Sequence, residues 1–170
     1  MSEPWLSGPI EGVDTLLAPL LYSFEQTRQE LAAHMIGLAP VDVWSRPFGM
    51  TPIGFHIRHI GGAADRLATY LRGEQLSEEQ MARLKSESQP DAAVEQLLSE
   101  LHADLARVEA YVRDLDPDTL RDPRGVGRKM LPTTVHGLIV HIAEHTQRHL
   151  GQAITTAKLI RAMGACVSQP

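Results

Sequence analysis

From about Thr133 to Met163 the chain carries one unbroken helical pattern, and within it histidine recurs every fourth residue, at His141, His145 and His149. A helix places side chains four apart one above the other on the same face. That is the spacing at which two imidazoles can grip one metal ion. The apolar stripe of this helix reads Val135, Leu138, Ile142, His145, His149 and Gln152, within a sector roughly 100° wide. His145 and His149 are therefore expected on the core-facing side, with His141 at its edge and His136 in solvent. Two imidazoles on a buried face need two buried partners or one ion. The ion is the simpler reading.

The remaining helices are read from the same periodicity. Leu16, Leu20, Phe24, Thr27, Leu31 and Met35 mark a first helix from about Gly12 to a stop at Gly37. A loop from Ala39 to Met50 follows, and Thr51-Pro52 reads as an N-cap followed by proline at the first helical position. The second helix continues to about Arg72 and ends at Gly73. Residues 74–90 are charged and polar and read as a crossover, with a short helix near Glu78–Lys85. Val94, Leu97, Leu101, Leu105, Val108 and Val112 mark a third helix from about Asp91 to Leu115, and residues 116–132 form a long loop. No sustained period-two alternation appears, so strands are not expected. Without a preceding strand, Gly125-Val126-Gly127 and the basic pair after it do not make a phosphate loop. The pattern predicts an all-α fold: a four-helix bundle with a long crossover between helices 2 and 3, filling residues 1–170 as one domain with a disordered tail at 164–170.

Composition excludes several function classes. The formal charge is −5, and no Lys/Arg-rich block is present, which argues against phosphate neutralisation on a nucleic acid. No apolar span reaches the 18 residues of a membrane helix, and the N-terminus lacks the pattern of a signal peptide. The single cysteine, Cys166, falls in the tail, and one cysteine beside eight histidines points to a reducing cytoplasm. No GxSxG motif occurs, so any catalysis is expected to be metal-centred. Trp5 and Trp44 read as packing residues or bundle caps.

Two histidines from one helix need a further ligand from elsewhere. The second helix offers His56 and His59, both inside its apolar sector, and periodicity does not choose between them. Gly61 and Gly62 follow in mid-helix, where each costs roughly 1 kcal/mol relative to alanine; tight helix packing is the expected reason. Glu144 and Asp65 are the acidic residues nearest in sequence that could orient the rings. Gln152, one turn beyond His149, is a candidate contact for a bound ligand.

His59-Ile60 early in the second helix, together with the late run His145-x-x-x-His149-x-Gly151-Gln152, resembles the DinB-like superfamily of metal-binding four-helix bundles. The resemblance covers the chain from the first helix to about Ala157 and implies an up-down-down-up course. It also implies a metal held by His59, His145 and His149, with His56 and His141 as alternates because they duplicate the spacing. Three imidazoles suit nickel, zinc, iron or manganese and leave coordination positions open. Metal-assisted hydrolysis is one chemistry such a site offers. Activation of a low-molecular-weight thiol, which the resemblance implies for some relatives, is another. A non-catalytic stress-related bundle binding a small molecule or metal is the alternative from a different class. The resemblance further implies a homodimer.

Overall fold

The computed structural model describes residues 3–167, with side chains as far as Gly164. The described chain is mostly helical. In order it forms α1 (Ala18–His34), α2 (Pro40–Trp44), α3 (Ile53–Leu71), α4 (Glu78–Ser86), α5 (Val94–Arg113), β1 (Pro123–Val126), β2 (Leu131–Thr134) and α6 (Val135–Val167). Short 3-10 turns occupy Pro4–Leu6, Pro47–Gly49 and Pro117–Arg121. The core lies among four long helices: α3 packs against both α5 and α6, and α1 closes against the same two. Among the described residues no helix is long and apolar enough to cross a membrane.

Local sequence accounts for most boundaries. All six apolar positions expected on α5 are buried, as are Leu20, Phe24, Thr27 and Leu31 of α1 and Met35 at its C-cap. Leu16 is 55% exposed, because the helix begins only at Ala18 with proline in its first turn. Gly37 adopts φ +76°, beyond the end of α1, and Gly73 adopts φ +82° after α3; both geometries favour glycine. A capping box starts α4: Ser77 Oγ accepts from the Gln80 N–H, and Gln80 Oε1 accepts from the Ser77 N–H, each at 3.1 Å. The cap of α3 departs from expectation. Pro52, at φ −64° and ψ 152°, is the cap position itself and has no side-chain acceptor, so Thr51 lies one residue too early.

Three further expectations are corrected. The loop at 39–50 contains α2, started by the Asp42 carboxylate accepting the Ala39 N–H at 2.9 Å. The long loop at 116–132 contains an antiparallel hairpin in which Pro123 pairs with Thr134 and Val126 with Leu131. Each strand is four residues long and contains proline, too short and irregular to show alternation. The Arg124 Nε donates to the Leu71 carbonyl at 2.8 Å, so the hairpin crosses the end of α3 remote from His56 and His59. Finally, the buried residues of α6 are Val135, Leu138, Ile139, Ile142, Thr146, Leu150, Ala153, Ile154, Thr156 and Ala157. His145 and His149 flank this stripe and are half-buried, while His136 and Gln152 are exposed. Of the expected tail, residues 168–170 lie outside the described residues, as does the side chain of Cys166.

No residue of α3 is exposed. Its glycines make room for side chains rather than for another backbone. A Cβ on Gly54 would meet the Trp44 indole at 2.7 Å, which places Trp44 as a packing residue; Trp5, in contrast, is 58% exposed. A Cβ on Gly61 would lie 2.6 Å from Asp104 Oδ2 and 3.1 Å from its Cβ. Asp104, on α5, is only 4% exposed, and Arg83 and Arg107 hold its carboxylate. The usual gain of about 1 kcal/mol from replacing a helical glycine by alanine therefore reverses here. Gly61→Ala is expected to destabilise by about 1–3 kcal/mol, as overpacking does, in a urea titration. A neutral or stabilised variant would mean that Asp104 yields freely.

Candidate metal centre

Four histidines meet in the seam between α3 and α6. His59 Nε2 lies 3.0 Å from His145 Nε2, and His56 Nδ1 lies 3.0 Å from His149 Nδ1. Rising numbers on one helix thus meet falling numbers on the other, and the pair runs antiparallel. One ring nitrogen from each of His59, His145 and His149 falls within 4.8 Å of the other two. Bonds of about 2.0 Å to a tetrahedral ion set ligand nitrogens about 3.3 Å apart. His56, the alternate on α3, is only 4% exposed and pairs with His149 beside the group. His141, the alternate on α6, stays on the surface, where its Nδ1 bonds Glu144 at 2.7 Å.

A carboxylate chooses the nitrogen that His59 presents. Glu87 Oε2 lies 2.7 Å from His59 Nδ1, and Glu87 Oε1 accepts from Arg66 at 2.7 Å. An ionised carboxylate only accepts, so Nδ1 carries the proton and Nε2 offers its lone pair towards His145. Two ring nitrogens 3.0 Å apart need a proton or a cation between them. A cation there accepts both Nε2 lone pairs. His145 Nδ1 is buried without a hydrogen-bond partner in either case. The donor set fits a divalent ion: imidazole nitrogens from two helices converge within 4.8 Å of one another.

The acidic residues nearest in sequence are not the ones that orient these rings. Asp65 accepts from Gln80 at 2.7 Å, and exposed Glu144 is taken up by His141 and Arg148. Glu87 was invisible to periodicity, since it lies in a charged crossover among other polar residues. Its burial arises only when that crossover folds back along α3. Phe55 stacks on His59, with centroids 5.0 Å apart and planes 14° apart, and meets His149 edge-on at 6.4 Å. It forms an apolar wall that restricts how the rings turn.

The same burial sets the electrostatics. Loss of water lowers His56 to about 4, with the neighbouring His59 adding to the effect. His149 is lowered to about 4 by burial and then by His59, His145 and His56. Burial and the adjacent His59 also depress His145. Burial pushes the Glu87 carboxyl up, but the His59 hydrogen bond and the Arg66 charge outweigh it and hold the group below its ordinary value. His56, His145 and His149 are thus held towards the neutral form, the one a metal needs.

An unfolded chain protonates His56 and His149 near 6.5, whereas the folded protein resists until about 4. Between those values the unfolded state binds more protons, so stability is complete above pH 6.5 and falls as the pH drops towards 4. Thermal melts of metal-free protein are expected to show that decline, and His149→Gln should flatten it. A melting temperature constant across the window would contradict the assignment.

A search of curated proteins found no match to this chain. A family model described as the DinB superfamily matches residues 23–153. That span runs from α1 well into α6 and includes the histidines of the seam together with Glu87. With far more than half of its 170 residues matched, the chain belongs to the DinB superfamily.

Proposed function

We propose that this protein binds one divalent transition-metal ion through His59, His145 and His149 and uses it on a small-molecule substrate. The observation that carries the reading is the convergence of three ring nitrogens within 4.8 Å, from two helices. Nickel, zinc, iron and manganese all suit imidazole ligands. The reading includes an up-down-down-up bundle. Supporting that course, Arg58 meets Glu100 and Arg72 lies over Tyr111, so α3 and α5 advance together. Gln147 meets Thr27 and Arg161 meets His34, so α1 and α6 do likewise.

Thiol activation fits these residues better than hydrolysis. A metal ion here would supply a Lewis acid, which ionises a coordinating thiol outright. Hydrolysis gains from a carboxylate or imidazole free to move protons. Glu87 has both oxygens engaged, and His56 is buried and shares a hydrogen bond with His149. A low-molecular-weight thiol needs no such base. The shortage of a free acid or base beside the triad also favours a second reading, in which the bundle binds metal or ligand without turnover.

Metal content by mass spectrometry, on protein purified without a histidine tag, tests the site. Near-stoichiometric metal is expected in the wild type and in His141→Ala, with loss in His59→Ala and His145→Ala. Wild-type protein without metal, even after ions are added back, would overturn the proposal. Adding a small thiol to cobalt-loaded protein separates the two readings. A new sulfur-to-cobalt absorption band is expected for thiol activation, and an unchanged spectrum would count against it.

A further inference from the structure

Glu87 closes α4 within the crossover and is only 4% exposed. Carboxylates are rarely buried unless paired. Here each oxygen has one partner at 2.7 Å, His59 Nδ1 on one side and Arg66 on the other. The space for this pair is cut into α3 itself. A Cβ added at Gly62 would stand 2.6 Å from Glu87 Oε1 and 2.8 Å from the Arg66 guanidinium. Alanine, the best helix former, is thus kept from a mid-helix position by a carboxylate belonging to another element.

We propose that Glu87 is a positioning residue for His59, and that Gly62 is the notch that admits it. The proposal rests on the three-histidine metal reading and deepens it. With Nδ1–H held by Glu87, the His59 ring cannot flip, and its Nε2 faces His145 at 3.0 Å. Arg66 fixes the second oxygen, so the carboxylate cannot rotate away. The crossover thereby acts on the metal position without contributing a ligand. Partners of this kind orient a coordinating histidine and raise its basicity.

Zinc titration calorimetry on metal-stripped protein tests the role, comparing wild type with Glu87→Ala, Glu87→Gln and Gly62→Ala. Glu87→Ala is expected to weaken binding about 10–100-fold. Glu87→Gln should fall between it and wild type, since the amide carbonyl can still accept from Nδ1–H. Gly62→Ala should weaken binding too, although residue 62 touches no ligand, and cobalt-loaded Gly62→Ala should show shifted visible bands. Lower melting temperatures with unchanged zinc affinity and cobalt bands would overturn the proposal, leaving Glu87 a structural partner of Arg66. Should Glu87→Ala fail to fold, the other two variants carry the same comparison. Wild-type protein that takes up no zinc overturns the metal reading itself, a result distinct from equal binding by wild type and variants.

Discussion

Enclosure of α3 is the constraint from which the rest of the structure follows. Between α5, α6 and the crossover, every one of its residues is at least half-buried. Yet its sequence includes two histidines, Arg58, Asp65, Arg66 and Thr69. A polar group taken out of water costs stability unless a partner replaces the lost hydrogen bonds. Each turn of α3 therefore recruits a partner from elsewhere. Arg58 takes Asp91 and Gln89, His59 and Arg66 share Glu87, Asp65 and Thr69 share Gln80, and His56 takes His149.

These partners come largely from the crossover, which explains its location. Residues 74–93 look dispensable as a linker, but their side chains satisfy the face of α3 that α6 does not cover. Small residues on α3 make this possible. Gly61 admits Asp104 and Gly62 admits Glu87, so carboxylates sit where Cβ atoms would otherwise stand. The helix gives up intrinsic propensity and gains buried, geometrically defined charge pairs. Such pairs contribute less to net stability than their number suggests, because desolvation opposes them. They do restrict which side chains can face one another.

In the seam with α6 the outcome is chemically different. There the facing groups are imidazoles on both sides. Helix-bundle metal sites built from glutamates neutralise the charge of their ions. A neutral imidazole set leaves that charge to act on whatever occupies the open positions. Burial favours the neutral form of His56 and His149, and the Glu87 carboxylate is committed to His59 and Arg66.

Much of this was written in one dimension. The helical repeats of α1, α3, α5 and α6, and the short α4, follow from periodicity because each helix must bury a stripe. The i, i+4 histidines were visible because helix geometry alone brings them together. Pairing across elements was not. The hairpin at 123–134 has strands too short to alternate, and it exists through its register and its docking on Leu71. The shift of His145 and His149 to the flank of the buried stripe depends on where α3 crosses α6, so Thr146 and Leu150 took the positions expected of them. Periodicity left His56 and His59 equal, since both fall on the same sector. Each lies 3.0 Å from a histidine of α6, and what separates them is Glu87, a residue 28 positions beyond His59 that holds His59 Nδ1. Local sequence determines a helix and its apolar face through short-range sterics and hydrophobic spacing. Which polar groups meet inside depends on how faces from distant segments are laid together, and only the tertiary structure decides that.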